Sequence, residues 1–254
     1  LLLLVLALLP NPAALRLGIA ASVLVGVGLV FGRRGLAGLG LASLATLLCW
    51  GSLSPRLDRR WDPTQVLLPR ATLDDRGVTF ENVRAFRWSE DGHEVAWRTV
   101  RCDFDALEGL DLVVSRFASS DAIAHTMFSL HCGGTPLLIS PEIRREEGED
   151  YSPLLGLLRH YELMYVVADE RDALHLRTHV RNERVFILPA RATADQLQAL
   201  LRRFAARIEG LAGKPSFYNT ATASCATSLA DDVQAIATAD LGMDWRVLLP
   251  GFSG

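Results

Sequence analysis

The apolar positions of this chain divide it into two parts of different character. Residues 1–53 are almost entirely apolar, with breaks at Pro10–Pro12 and Gly32–Gly35. The segments Leu15–Phe31 and Leu36–Leu53 are each close to the roughly 17 residues that a membrane-spanning helix needs. We therefore predict that residues 1–53 form transmembrane helices. Because the chain opens within such a run, we expect it to start inside a hydrophobic helix.

The positive charges of this apolar part predict its orientation. Arg33 and Arg34 lie in the break between two apolar segments, and the positive-inside rule puts such a break in the cytoplasm. The next helix would then carry residues 54–254 across the membrane. We predict a multi-pass protein of a bacterial inner membrane with its C-terminal domain in the periplasm. A signal peptide would explain a single apolar stretch, and a buried helical hairpin of a soluble domain is the other alternative.

Beyond residue 53 the pattern changes to short, strand-like runs. Residues 54–76 combine turn residues and charges without periodicity, which indicates a linker. The strand-like runs begin after it, and Gly133-Gly134 between two of them is a hairpin signal. The runs are residues 78–80, 83–88, 95–100, 112–117, 122–130, 137–140, 162–167, 173–178 and 184–188.

Two helices follow the strands in the sequence. Thr193 and Gln196 form a capping box ahead of an amphipathic run that ends near Gly213. A second helix should begin near Cys225. We therefore predict an α+β fold in which residues 77–254 form one domain with an antiparallel sheet.

Charge and cysteine content narrow the partners and the compartment. The chain carries a formal net charge of −3; residues 1–53 hold three arginines and no acidic residue, so the remainder carries −6. We do not expect so acidic a domain to bind nucleic acid. In an oxidising compartment Cys102 and Cys132 could form a disulfide, which would leave Cys225 as the odd thiol of the domain.

Cys225 and His125 are the candidates for covalent chemistry. The thiol lies where a helix should begin, and there the helix dipole and free N–H groups favour the thiolate. A histidine on a neighbouring strand can take the proton of that thiol. His131 shares the strand parity of His125 and is a second candidate base. Glu142 follows the strand that pairs with that of His125, and its carboxylate could orient the imidazole as in a catalytic triad.

Each candidate also has a structural interpretation. A cysteine is often a small buried apolar residue, a histidine in an apolar strand is often structural, and a charged run is often a solvated loop. A metal site around His125 and His131 is a rival, but no known metal-ligand spacing is present, and we expect neither metal nor cofactor. Asp169–Asp172, with Arg177 and Arg181, either forms ion pairs that organise a turn or contacts a polar head group.

Over roughly residues 82–254 the chain resembles the Lnb N-terminal periplasmic domain family of bacterial membrane proteins. The matching motifs are His125-Thr126, Ile139–Glu149, Tyr151-Ser152, Tyr161–Val166, Asp169–Asp172, Leu176–Thr178, Phe217–Thr220, Cys225–Thr227 and Trp245–Gly251. The resemblance implies a thiol acyltransferase with a papain-like domain of the permuted NlpC type, in which Cys225 and His125 are the catalytic pair. The family usually has Asn-Asn-Cys-Thr-Thr around the thiol, whereas this chain has Ala223-Ser224-Cys225-Ala226-Thr227.

The resemblance also implies a reaction. Cys225 would take an acyl group from a membrane phospholipid as a thioester, and the acceptor would be an amine such as a lipoprotein N-terminus. Two alternatives remain: a papain-like cell-wall amidase or peptidase that uses the same pair, and a non-catalytic binding module for envelope partners. The first reading predicts a lipid-lined groove beside Cys225 and the second an open polar cleft. A binding module need not place His125 near the thiol at all.

Overall fold

The computed structural model covers most of the chain after the N-terminal apolar part. The residues that it describes are 26, 33–89, 92–117 and 124–236. Residues 1–25, the predicted segment Leu15–Phe31 except for Gly26, and the motif Trp245–Gly251 lie outside them. Helix α1 (Arg33–Gly51) overlaps the predicted segment Leu36–Leu53. Within the described ranges, no helix has both the length and the hydropathy that a membrane crossing requires. The predicted transmembrane helices are not confirmed.

The rest of the described chain folds into strands and helices around one large sheet. The strands are β1 (Arg70–Leu73), β2 (Gly77–Arg84), β3 (Arg87–Ser89), β4 (Gly92–Glu94), β5 (Trp97–Asp103), β6 (Leu107–Arg116), β7 (Ala124–Cys132), β8 (Thr135–Arg144), β9 (Glu162–Asp169) and β10 (Arg184–Ala190). The helices that follow α1 are α2 (Pro153–Gly156), α3 (Glu170–His175), α4 (Ala194–Gly213) and α5 (Cys225–Gln234), and a π-helical turn (Leu176–Val180) extends α3.

The large sheet is mixed, which corrects the prediction of an antiparallel sheet. Its strand order is β1-β2-β9-β8-β7-β6-β10, and β5 also pairs with β2. All its pairs are antiparallel except that between β2 and β9, where Arg84 lies opposite Ala168. A parallel pair needs a long connection, and here that connection comprises all the strands from β3 to β8. Local sequence patterns contain no signal for a contact of this kind. The α+β class itself is confirmed.

Several local signals predict the structure correctly. The hairpin at Gly133-Gly134 joins β7 to β8, and both glycines have positive φ, at 57° and 73°. The capping box of Thr193 and Gln196 starts α4, and α5 starts at Cys225 as expected. The strand predicted over residues 173–178 is wrong, because these residues belong to α3 and the π-helical turn. The side chain of Asp169 caps α3 by accepting the N–H of Arg171, so a local cap decides the conformation.

The segment expected to be a linker packs against the domain. Trp61 is buried, and the guanidinium of Arg144 lies 4.1 Å from the centre of its ring. The amide of Gln65 donates to the Ile143 carbonyl and accepts from the Arg145 N–H. Strand β1 also lies within residues 54–76. Residues 54–76 therefore do not form the free linker that their alternating turn residues and charges suggested. Part of this segment packs against the end of β8.

A buried carboxylate fixes helix α5 to its neighbours. Asp232 has no exposed surface, and its oxygens accept from the hydroxyl of Tyr165 on β9 and from Arg203 and Arg207 on α4. Leu200, Leu201 and Phe204 of α4 pack into the main apolar core beneath the sheet, so α4 is itself held firmly. Since Cys225 is the first residue of α5, this network also sets the position of the thiol.

A disulfide joins two strands of the sheet. Cys102 on β5 and Cys132 on β7 are bonded, with their Cα atoms 5.7 Å apart and their positions 30 residues apart in sequence. Both cysteines belong to the main core cluster. The bond closes a long chain loop, which limits the conformations of the unfolded chain. The pairing that the sequence left open is therefore present in the structure.

Reduction of this disulfide should lower the free energy of unfolding by about 2–5 kcal/mol, the usual effect of losing a native disulfide. Urea denaturation of the purified protein with and without dithiothreitol measures the difference. The double variant Cys102→Ser/Cys132→Ser should already have the lower stability and should not respond to the reductant. An exposed cysteine supplies the control, since Cys49→Ser should keep the wild-type response. Equal sensitivity of wild type and double variant to dithiothreitol would contradict the prediction.

Candidate active site

The loop before α5 presents Cys225 at the start of the helix. The side-chain oxygen of Asn219 accepts two N–H groups within this loop, at 2.9 and 3.0 Å, which closes a tight turn. Ser224 is the N-cap, and its hydroxyl accepts the N–H of Thr227. The first N–H groups of a helix have no partner within the helix, so those of Cys225 and Ala226 are the donors expected at this end of α5. The Ser224 hydroxyl, which stands where the resembling family usually has an asparagine side chain, is engaged in this capping.

Two successive residues of β7 meet the thiol. The imidazole of His125 lies within hydrogen-bonding reach of Cys225, and the backbone N–H of Thr126 also stabilises the sulfur. His125 is buried, while Cys225 is partly exposed. The start of β7 and the start of α5 therefore bring together the two residues that the sequence singled out for acyl chemistry.

The surroundings of Cys225 favour its thiolate. Burial raises the pKa of the thiol, but the charge of His125 and the hydrogen bonds from His125 and Thr126 lower it by more. The result is a pKa of about 7 instead of the usual 9.0. A large fraction of the protein therefore carries a nucleophilic sulfur at neutral pH, which is the requirement for covalent catalysis.

A serine hydroxyl connects His125 to Glu142. The Nε2 atom of His125 lies 2.6 Å from Oγ of Ser140 and 3.4 Å from Oε1 of Glu142. The Ser140 hydroxyl donates to the same carboxylate oxygen at 3.1 Å. Because these two acceptors occupy Nε2, Nδ1 is the ring nitrogen that remains for Cys225. Ser140 is fully buried, so its hydroxyl acts as a fixed link between ring and carboxylate.

Glu142 in turn is held by a buried arginine. Arg177, on the π-helical turn, donates to Oε1 of Glu142 at 2.8 Å, and its other nitrogen lies 3.7 Å from Glu183. Burial raises the pKa of Glu142, but the hydrogen bond from His125 and the charge of Arg177 bring it well below its usual value. Glu142 is therefore an acceptor at every physiological pH, as an orienting carboxylate must be.

The charge on Glu142 and on the thiolate determines the state of His125. Burial lowers the pKa of the imidazole, and the thiolate of Cys225 raises it; Arg177 lowers it again, and the hydrogen bonds to Cys225 and Glu142 raise it. The balance leaves the pKa above the ordinary 6.5. Raised imidazole and lowered thiol pKa values together favour a thiolate–imidazolium pair around neutral pH.

The pair opens into a cavity of about 520 Å³, within the usual range for small-molecule sites. One part of its lining is aromatic and another carries guanidinium groups. The aromatic side chains are Phe117, Tyr151 and Tyr218, and the cationic ones are Arg145, Arg177 and Arg181. The acyltransferase predicted a lipid-lined groove and the amidase an open polar cleft. The cavity combines apolar and charged lining residues and so has features of both.

The structure brings together Cys225, His125 and Glu142, the three residues that the sequence predicted for the site. His131 is elsewhere, near the other end of β7, where its Nε2 lies 3.0 Å from Asp111. Sequence reasoning missed Ser140. Strand alternation offered a signal for it, since Ser140 and Glu142 are two residues apart and share one face of β8. The contact of Arg177 with Glu142 was hidden because its segment was expected to be a strand.

The rate at which Cys225 reacts with iodoacetamide should follow its thiolate fraction. In a Cys49→Ser background the rate should rise with pH and reach half its maximum near pH 7. In His125→Ala the lowering influences of the imidazole are lost while burial persists, so the midpoint should move to pH 9.0 or higher. The pH dependence of alkylation, measured by mass spectrometry, checks both values. A midpoint that is the same in both proteins would show that His125 does not act on the thiol.

Comparison with known proteins identifies one family. The model of the Lnb N-terminal periplasmic domain matches residues 93–251, which include His125, Glu142 and Cys225. Neither the curated proteins nor the solved structures give a match. The papain-like fold implied by the resemblance therefore stays a prediction. The matched region covers more than half of the chain, and the chain therefore belongs to the Lnb N-terminal periplasmic domain family.

Proposed function

We propose that this protein is a thiol acyltransferase that moves an acyl group from a membrane phospholipid to an amine. The observation that carries the proposal is the contact between Cys225 and His125. A thiol with a pKa of about 7 lies against an imidazole, at the N-terminus of a helix and on the wall of a cavity. These are the parts that nucleophilic acyl chemistry requires.

The residues of the site can account for both halves of the reaction. The Cys225 thiolate attacks the carbonyl carbon of a lipid ester, and the free N–H groups of Cys225 and Ala226 stabilise the oxyanion. His125 gives its proton to the departing alcohol oxygen, which leaves a thioester on the sulfur. An amine then attacks the thioester, and His125, now neutral, takes the proton of that amine. The thiolate leaves, and the original ion pair is restored.

The N-terminal part of the chain supports a lipid donor. Leu41, Leu44, Leu47 and Leu48 of α1 are exposed, as an apolar anchor at a membrane would present them. The end of α1 is held on the domain, because the indole of Trp50 donates to the Leu158 carbonyl at 3.2 Å and stacks under the guanidinium of Arg159. In the proposed arrangement residues 1–53 anchor a multi-pass protein in the bacterial inner membrane, with the rest of the chain in the periplasm.

Helix α2 lies between this anchor and the cavity. Leu154 and Leu157 of the α2 region are exposed, and the Pro153 carbonyl accepts from Thr220 in the loop that leads to Cys225. Tyr151, just before α2, lines the cavity. In the proposed arrangement these exposed leucines help the domain to lie at the membrane surface, from which a lipid ester would enter the cavity. A lipoprotein N-terminus in the periplasm is the proposed acceptor.

The guanidinium groups of the cavity favour a second candidate. A cell-wall amidase or peptidase would use the same Cys225–His125 pair on a polar, charged substrate, and Arg145, Arg177 and Arg181 suit such a substrate. A non-catalytic binding module, in contrast, gives no reason for a lowered thiol pKa beside an imidazole. The two enzymatic candidates differ in the group that they place on the sulfur.

Incubation with phospholipid that carries a labelled acyl chain should label the protein on Cys225. The adduct is a thioester, so treatment with hydroxylamine should remove the label from the protein band on a denaturing gel. Cys225→Ala should carry no label, and His125→Ala should acquire it at least about a hundredfold more slowly, the usual contribution of a general acid–base group. Mass spectrometry of the labelled peptide confirms the position.

Two outcomes would reject the acyltransferase. Label that survives Cys225→Ala would place the acyl group elsewhere. Cleavage of cell-wall peptides by wild type, without any lipid adduct, would favour the amidase. The exposed Cys49 supplies a matched control, because Cys49→Ala should label as wild type does.

The proposed topology has a separate test. A phosphatase reporter fused after Gly254, which is active only in the periplasm, should be active, and a fluorescent reporter that fails to fold there should be dark. The physical reason is the Arg33-Arg34 pair, which is expected to stay in the cytoplasm. The opposite pattern of the two reporters would reject this orientation.

A further inference from the structure

We propose that Arg181, together with Arg177, forms a subsite for the phosphate group of the acyl donor, next to Cys225. The inference deepens the proposed function, because it specifies which part of the donor the protein recognises. The basis is the presence of three guanidinium side chains in the lining of the cavity that also holds the thiol.

Positive charges outnumber negative ones on this wall. Arg145, Arg177 and Arg181 line the cavity, and the carboxylates among the lining residues are those of Glu142 and Glu183. Arg177 is buried between both carboxylates, and Arg145 lies 3.2 Å from Asp62 outside the cavity lining. Arg145 and Arg177 therefore have carboxylate partners, which leaves Arg181 as the guanidinium of the lining that is available to an entering anion.

The guanidinium groups are close enough to repel one another. Burial against the protein lowers the pKa of Arg181, and the charge of Arg177 is the next cause, with Arg145 adding to it. Glu142 and Glu183 act in the opposite direction and raise this pKa. An anion bound between these side chains would remove the repulsion and gain charge-assisted hydrogen bonds.

Arg181 differs from Arg177 in being accessible. Arg181 keeps exposed surface although its guanidinium is crowded by neighbouring groups, whereas the side chain of Arg177 is only 3% exposed. Its backbone is fixed, because the N–H of Arg181 bonds to the Leu176 carbonyl at 3.0 Å and closes the π-helical turn. Asn182 follows with a positive φ of 52°, and the next N–H returns to the Arg177 carbonyl at 2.8 Å. A hydrogen-bonded turn thus carries an arginine that lines the cavity.

The planar fork of an arginine matches the oxygens of a phosphate or carboxylate. In a phospholipid the phosphate is separated from the ester carbonyl by only part of the glycerol unit. An ester at Cys225 with its phosphate at Arg181 would therefore occupy the cavity with the polar end of the lipid, while the acyl chains pass the aromatic side chains. A free phosphate offers the same chemistry without the acyl chains, and the experiment has to separate the two.

Protection of Cys225 from iodoacetamide tests the subsite without any acyl transfer. Glycerol 3-phosphate should slow the alkylation of wild type, and glycerol at the same concentration should not. Arg181→Gln should lose this protection, while Arg191→Gln, a change at an exposed arginine outside the cavity lining, should retain it. Equal protection in Arg181→Gln and wild type, or none in wild type, would overturn the subsite whether or not the protein transfers acyl groups.

A second arm identifies the source of the phosphate. With labelled phosphatidylglycerol vesicles, Arg181→Gln should acylate Cys225 about ten- to a hundredfold more slowly than wild type, the range for losing a charge-assisted hydrogen bond. With labelled diacylglycerol, which lacks the phosphate, the two proteins should react within about twofold of each other. An equal loss on both lipids would mean that Arg181 acts on the structure of the site rather than on a phosphate. Wild type that never acylates but is protected by glycerol 3-phosphate would reject the acyltransferase and keep the subsite.

Discussion

Pairing of buried charge is the constraint on which the site depends. Along one row the thiolate of Cys225 is followed by the imidazolium of His125, the carboxylate of Glu142, the guanidinium of Arg177 and the carboxylate of Glu183. An isolated ion in such surroundings costs several kcal/mol, so each member stays charged because its neighbours carry the opposite sign. The thiolate is thus the accessible end of an alternating series, and loss of any member would alter the ionisation of the next.

This constraint explains features of the fold that otherwise look unrelated. The π-helical turn after α3 places Arg177 against Glu142, and π-helical turns are often found at functional sites. Ser140 occupies a position that could hold an apolar side chain of β8, yet its hydroxyl fills the space between ring and carboxylate. On the other side of the thiol, Asp232 fixes α5 to β9 and α4. The position of the sulfur is therefore fixed on one side by the strands that carry His125 and Ser140 and on the other side by helix α5.

The sequence predicted features that depend on neighbouring residues better than features that depend on residues far apart in the chain. The hairpin at Gly133-Gly134 and the capping box of Thr193 are local, and both were predicted correctly. The start of α5 at Cys225 and the parity of β7 gave the thiol and its base. The parallel contact of β2 with β9 and the packing of residues 54–69 depend on distant partners, and no local pattern contains them. Arg177 was missed as a partner of Glu142 because the cap at Asp169, and not strand propensity, decides its segment.

The domain uses cysteine in two opposite ways. The bond between Cys102 and Cys132 forms only where thiols are oxidised, as in the periplasm, and it links β5 to the strand that carries His125. The same surroundings endanger Cys225, because a thiolate reacts with oxidants far more readily than a thiol. Oxidation therefore stabilises the domain through Cys102 and Cys132, whereas it would inactivate the thiolate of Cys225. Oxidation of Cys225 would therefore end the proposed chemistry while the fold, with its disulfide intact, persists.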